Sequence, residues 1–279
     1  MGGVGAGRRA SSTEADLTEA PLKRAEPPIT QPRRVALTAL GTAAGLYLLS
    51  ICPASSGEQI LLPAFSVQRP DGQLPDGWSL VTFRKIARHS RYQLVREGDS
   101  VVVRAQAEAS AAALATKVSA DLRDYPILHW RWKVDHVLDK SDLRRKHGDD
   151  YAARIYVTFA YDPGHASFGE RLRYQAARLL FGNEVPFSGI NYVWDSRAPI
   201  GTIAPNAYTD RVRMFVVESG TARVGRWVEE RRNVYEDYLR AFGAEPPPVS
   251  AVAIMTDTDD TGESVTAWYG DITLERSAP

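Results

Sequence analysis

From residue 78 onward, apolar and polar residues alternate in short runs, the period of strands with one buried face. The clearest run is 127–134, ILHWRWKV. Leu128, Trp130, Trp132 and Val134 fall on one face, and His129, Arg131 and Lys133 on the other. Similar runs predict strands at 79–85, 91–96, 100–106, 111–117, 152–160, 189–194, 211–218, 225–231, 249–256 and 264–274. They are rich in Val, Ile, Thr, Tyr and Trp and are broken by Gly, Asp and Pro. Segment 249–256 is apolar at nearly every position, which predicts an interior strand. Helical spacing appears twice. One helix is predicted near 167–181, with Phe168, Leu172 and Leu179 on a face and Gly182 as the stop. The other is predicted near 233–242, with Val234, Tyr238 and Phe242 on a face and Gly243 as the stop. Many strands and few helices exclude a βαβ pattern. The expected fold is all-β: a two-sheet β-sandwich over 78–279, jelly-roll-like, with two short helical insertions. Residues 58–77, rich in Pro and Gly, read as a lead-in.

The first 57 residues follow a different pattern. Residues 1–34 are polar and rich in small residues, with Pro27, Pro28 and Pro32 against a helix, and read as a disordered or mis-started extension. Residues 35–57 carry no charge. A basic pair (Arg33, Arg34), the apolar run Val35–Cys52 and then small residues form the layout of a secretory signal. The run is also near the lower length limit of a membrane span, so a retained anchor is the second reading. A lipidated Cys52 is disfavoured by the bulky Ile51 before it. Both main readings put the sandwich in the periplasm or outside the cell, with membrane contact only through 35–52.

Composition narrows the classes. There are 34 basic and 34 acidic residues, 44% hydrophobic and 24% charged. That balance suits a globular domain and excludes a disordered or many-span chain. Residues 1–57 hold six of the basic and four of the acidic side chains, so the remainder carries a net charge of −2. Nothing here neutralises phosphates on the scale of a nucleic-acid binder, and no nucleic-acid partner is expected. A single cysteine closes no intramolecular disulfide.

Candidate chemistry lies on the polar strand faces and in two acidic segments. If strands 127–134 and 152–160 are neighbours, His129, Arg131, Lys133, Arg154 and Tyr156 form one cationic-aromatic patch, with Asp150 reaching it from the preceding loop. Such a surface stacks on sugars and pairs with acidic groups. The plain alternative is a solvated sheet face. Asp257, Asp259 and Asp260 stand in the turn 257–263, DTDDTGE. Closely spaced carboxylates in a tight turn suit calcium. Asp257, Asp259 and Gly262 match positions 1, 3 and 6 of the helix-loop-helix calcium loop, but Trp268 stands where its bidentate Glu belongs and the flanks are strands. A polar hairpin is the alternative, and either no cofactor or Ca²⁺ is expected. Glu229 and Asp271 are candidate catalytic carboxylates for glycoside hydrolysis, which needs two acids at a set separation. The five histidines lack zinc spacing, and the serine-elbow, zinc-protease and phosphate-loop motifs do not occur.

Four segments together resemble a known family. They are 125–134 (YPILHWRWKV), 148–157 (GDDYAARIYV), 191–194 (NYVW) and 253–261 (AIMTDTDDT). They are similar, in order, to exported bacterial proteins grouped as domain of unknown function 3047, over roughly 78–276. The resemblance implies no activity and no catalytic residues.

The expected function is therefore an exported cell-envelope module that binds carbohydrate or anionic glycan on a sheet face without catalysis. One alternative is a membrane-tethered structural domain with a protein partner. Another is a polysaccharide-acting enzyme using paired carboxylates. Oligomeric state is not legible.

Overall fold

The computed structural model describes residues 59–70, 73–161 and 188–277. The predicted helix at 167–181 and the targeting segment before residue 58 lie outside them. Among the described residues no helix is long and apolar enough to cross a membrane.

All eleven predicted strands are present. They are β2 (Ser79–Val81), β3 (Arg91–Glu97), β4 (Ser100–Glu108), β5 (Ala113–Ala120), β6 (Ile127–Val134), β7 (Ala153–Phe159), β8 (Ser188–Asp195), β10 (Val212–Ser219), β11 (Val228–Asn233), β12 (Val249–Met255) and β13 (Ser264–Glu275). Two three-residue strands join them, β1 (Gln59–Leu61) and β9 (Ile203–Pro205). Helix α1 (Val234–Phe242) forms where periodicity placed it. The Asn233 side chain accepts from the Glu236 amide, and Gly243 ends the helix at φ +67° with its N–H on the Leu239 carbonyl.

The strands make two sheets. One runs β11-β6-β13-β4-β3, with β1 added beside β13; the other runs β2-β5-β12-β7-β8-β10-β9. Strand β12 is interior, as its composition predicts. Pairing is antiparallel except between β8 and β10, which run parallel. Adjacent inner faces form one core. Its largest members include Trp130 and Trp132 from the first sheet and Tyr192 and Trp194 from the second. Trp130 meets Trp132 edge-on at 5.5 Å, and Trp132 lies 6.1 Å from Trp194. The alternation read from 127–134 is therefore correct: its tryptophans are core.

The segment 58–77 is more than a lead-in. Besides β1, it sends Leu62 and Phe65 into the core, where Phe65 packs on Trp78.

One expectation is overturned. Strands β6 and β7 are not neighbours, because β6 belongs to the six-stranded sheet and β7 to the seven-stranded one. The patch predicted across them does not exist as one surface.

Candidate functional site

On the six-stranded sheet, strand register lines up outward-facing residues in rows. Arg91 pairs with Gln106, and Gln106 with Thr266; Asp135 follows beside Thr266. In the next row Gln93 pairs with Arg104, Arg104 with Trp268, and Trp268 with Lys133. One row further on, Arg131 pairs with Glu229. The first row lines a cleft of about 480 Å³ together with Arg88, His89 and His136. The second and third rows extend the same face away from it.

Cations and indoles are interleaved there. Lys133 Nζ sits 4.4 Å from the centre of the Trp268 ring, and the Arg131 guanidinium 4.7 Å from that of Trp227. Arg131 can lie flat because it crosses Gly270, where any Cβ would stand 2.6 Å from its Cγ and Nε. Lys133 also contacts Glu97 on β3, three strands away, so the sheet curves toward this face. At the far end His129 and Arg231 share Glu275, at 3.2 and 3.3 Å. Among the described residues Arg88, Arg91 and Arg131 have no carboxylate partner in an ion pair.

Of the predicted ligand residues, His129, Arg131 and Lys133 lie on this face. Asp150, Arg154 and Tyr156 do not, since they stand at the outer side of the other sheet. That side is covered rather than solvated. Ile86 packs on Ala111, Ala113, Ala253 and Met255. Leu143 and Tyr151 pack with Val193, Met214 and Val216, helped by Ala198 and Ala204. The loop expected at 149–150 is buried as well.

Beneath this cover lies a charged cluster. Arg154, 3% exposed, is the second residue of β7 and contacts Asp257, 1% exposed, just past the end of β12. Its Nη1 is 4.0 Å from Asp149. The Tyr151 and Tyr156 rings flank the guanidinium at 5.1 and 5.4 Å. The Asn206 side chain donates to Asp149 Oδ2 (2.9 Å), and the Thr261 amide to Asp150 Oδ2 (2.6 Å). Burial pushes Asp149 and Asp150 up, and Asp257 well up despite Arg154 beside it; Asp259 rises to about 6, again mainly through burial. Carboxylate oxygens of Asp150, Asp257 and Asp259 lie within 4.8 Å of one another. The structure thus replaces one predicted metal candidate. Asp260 is exposed and accepts from the Tyr208 hydroxyl (2.9 Å), while Asp150 joins Asp257 and Asp259. Asp149 was read from sequence only as part of the charged loop before 152–160, and Asn206 was not singled out.

The predicted acid pair is not available as a pair. Asp271 accepts from the Phe65 and Ser66 amides (2.7 and 3.0 Å) and from the Ser66 hydroxyl (2.5 Å). It ties the 62–66 segment to β13. Glu229 is exposed on β11, with β6 between the two strands.

Glu230, next to Glu229, titrates near neutral pH. Burial, with the Glu218 carboxylate next in effect, pushes it from 4.5 up to about 7. The folded state therefore holds a proton there that the unfolded chain has released, between about pH 4 and 7. Stability from this group is present at low pH and lost as pH rises through that window. Glu230→Gln is expected to gain on the order of 2 kcal/mol at pH 8, after discounting for partial exposure, and almost nothing at pH 4. Urea unfolding at the two pH values checks this.

These features define a two-sheet β-sandwich with a cationic-aromatic outer face and a buried acidic cluster under the opposite one. The chain matches the family described as "Protein of unknown function (DUF3047)" over residues 76–273, and it belongs to that family. No curated protein matches it. Solved structures are similar at low identity. The carbohydrate recognition domain of Emp47p is 12% identical, with 78% of this chain and 95% of that one covered, at TM-score 0.40. The xyloglucanase domain of NopAA from Sinorhizobium fredii is 9% identical, covering 78% and 99%, at 0.37. Endoglucanase 3 of Trichoderma harzianum, from family GH12, is 9% identical, covering 80% and 98%, at 0.36.

Proposed function

We propose that this protein is an exported cell-envelope module, a jelly-roll-like sandwich, that binds an anionic glycan on the outer face of its six-stranded sheet without catalysis. The reading rests on the cross-strand register. It sets the cleft, the Trp268–Lys133 and Trp227–Arg131 stacks and the unpaired arginines on one continuous face. Sugar rings offer C–H faces that lie on indoles, and uronate or phosphate groups take charge-assisted hydrogen bonds from guanidinium groups. A merely solvated face has no need of half-buried tryptophans beside arginines that lack acids. The uncharged apolar run at 35–52 after Arg33-Arg34 is what supports export in this reading.

Binding of the full chain to a panel of neutral and uronate- or phosphate-bearing polysaccharides tests this. Anionic glycans are expected to bind, more weakly as salt rises. Arg131→Ala with Lys133→Ala is expected to weaken binding at least about tenfold, the loss of one to two charge-assisted contacts. No binding to any glycan, or binding indifferent to both substitutions, overturns the reading.

A further inference from the structure

We infer that Asp150, Asp257 and Asp259 form a binding site for one hard divalent cation, calcium rather than zinc, at the end of the seven-stranded sheet where β12 leaves and β7 begins. The inference is independent of glycan binding, since the two features lie on different sheets.

The first support is geometric. Oxygens of the three carboxylates come within 4.8 Å of one another. Calcium binds oxygen at about 2.3–2.6 Å, so two ligands of one ion stand no more than roughly 4.6–5.2 Å apart, and the three carboxylates are close enough to share one. Zinc prefers nitrogen and sulfur, and the trio offers only oxygen.

The second support is a pair of buried carboxylate oxygens at the cluster that lack partners, beside the Tyr151 hydroxyl and the Arg154 Nε and Nη1, which lack them too. Asp150 is fully buried, and its Oδ2 takes the Thr261 amide while its Oδ1 has no partner. Asp149, 6% exposed and close enough to act electrostatically on Asp257, also has a bare Oδ1. A buried carboxylate oxygen without a hydrogen bond is costly, and native proteins rarely keep one without a reason. Charge gives the third support. Arg154 is the cation in contact with the cluster, against four carboxylates at 149, 150, 257 and 259. A divalent ion brings that sum close to neutral.

Arg154 does not block the site. It holds Asp257 Oδ2, while the Tyr151 amide holds Oδ1 at 3.3 Å, which fixes the carboxylate in place. Each oxygen keeps a second lone pair for an ion. The turn that carries Asp259 is closed by the Gly262 amide on the Thr258 carbonyl (2.9 Å), with Gly262 at φ +71°.

The test is calcium titration of the full chain after chelation, read by calorimetry and thermal melting. One ion per chain is expected, with a dissociation constant on the order of 10⁻⁴–10⁻³ M, as in extracellular modules, and a raised Tm. Half-buried Asp259 is the variant of choice. Asp259→Asn, shown folded by circular dichroism, is expected to weaken binding at least about tenfold, since the ion loses one of three charged ligands. Terbium luminescence, sensitised through Tyr151, gives a second readout and should vanish in the same variant. No calcium binding up to about 10 mM overturns the site. So does binding that Asp259→Asn leaves unchanged.

Discussion

Replacing Arg154 by leucine is expected to destabilise the fold by about 3–5 kcal/mol, the cost of leaving a buried charge without its partner. For a domain of this size that is a fall in Tm of roughly 10 °C. Arg154 is 3% exposed and is the cation that Asp257 touches. Without it, the acids at 149, 150, 257 and 259 must take up protons or draw in water. Both routes loosen the junction between β7 and the turn that follows β12. A double-mutant cycle separates charge from packing. Arg154→Leu with Asp257→Asn should recover part of the loss, because the second change removes the stranded charge. Urea unfolding of the four proteins measures it, and a strictly additive double mutant would show that the pair is not coupled.

The second large effect belongs to the core. Trp132→Ala is expected to cost about 3–5 kcal/mol and to unfold much of the protein at 37 °C. Trp132 has no exposed surface, meets Trp130 edge-on and lies near Trp194 from the facing sheet. Its removal leaves a hole that residues of two sheets cannot close together. Trp227→Ala, on the outer face, is expected to leave stability within about 0.5 kcal/mol, as surface changes usually do. Thermal melts of the two variants make the contrast directly. Equal losses would mean that the faces have been misassigned.

That contrast marks what the sequence made legible. Period-two alternation located every strand long enough to show it, and in β6 it separated core from surface residue by residue. Helix α1 was legible from its spacing and from Gly243. Strands β1 and β9 span three residues each, too short to carry a period. They form at all because β13 and β10 offer them edges to pair with.

Sheet membership was the part that local pattern could not supply. Alternation says which face a residue takes, not which strand lies beside it. Consecutive strands often pair; β6 and β7 do not, and the predicted patch split on that point. Arg154 and Tyr156 do face away from the core, as their parity requires. Whether that outer face meets water depends on Ile86, Leu143 and Tyr151, whose positions no strand period encodes. The same cover explains the metal candidates. Asp257 and Asp259 were visible as neighbours in one turn, whereas Asp150 reaches them from more than a hundred residues away, through the Thr261 amide that holds it.

The most direct test of the central claim is to find where a glycan sits. A uronate-bearing oligosaccharide carrying a photoreactive group would be bound to the full chain and crosslinked, and the labelled peptides sequenced by mass spectrometry. The account predicts labels on β4, β6 and β13, around Gln106, Arg131, Lys133 and Trp268, suppressed by excess unlabelled sugar. Specific labelling confined to the seven-stranded sheet, around Tyr208 or Asp260, would contradict it and move ligand binding to the opposite face.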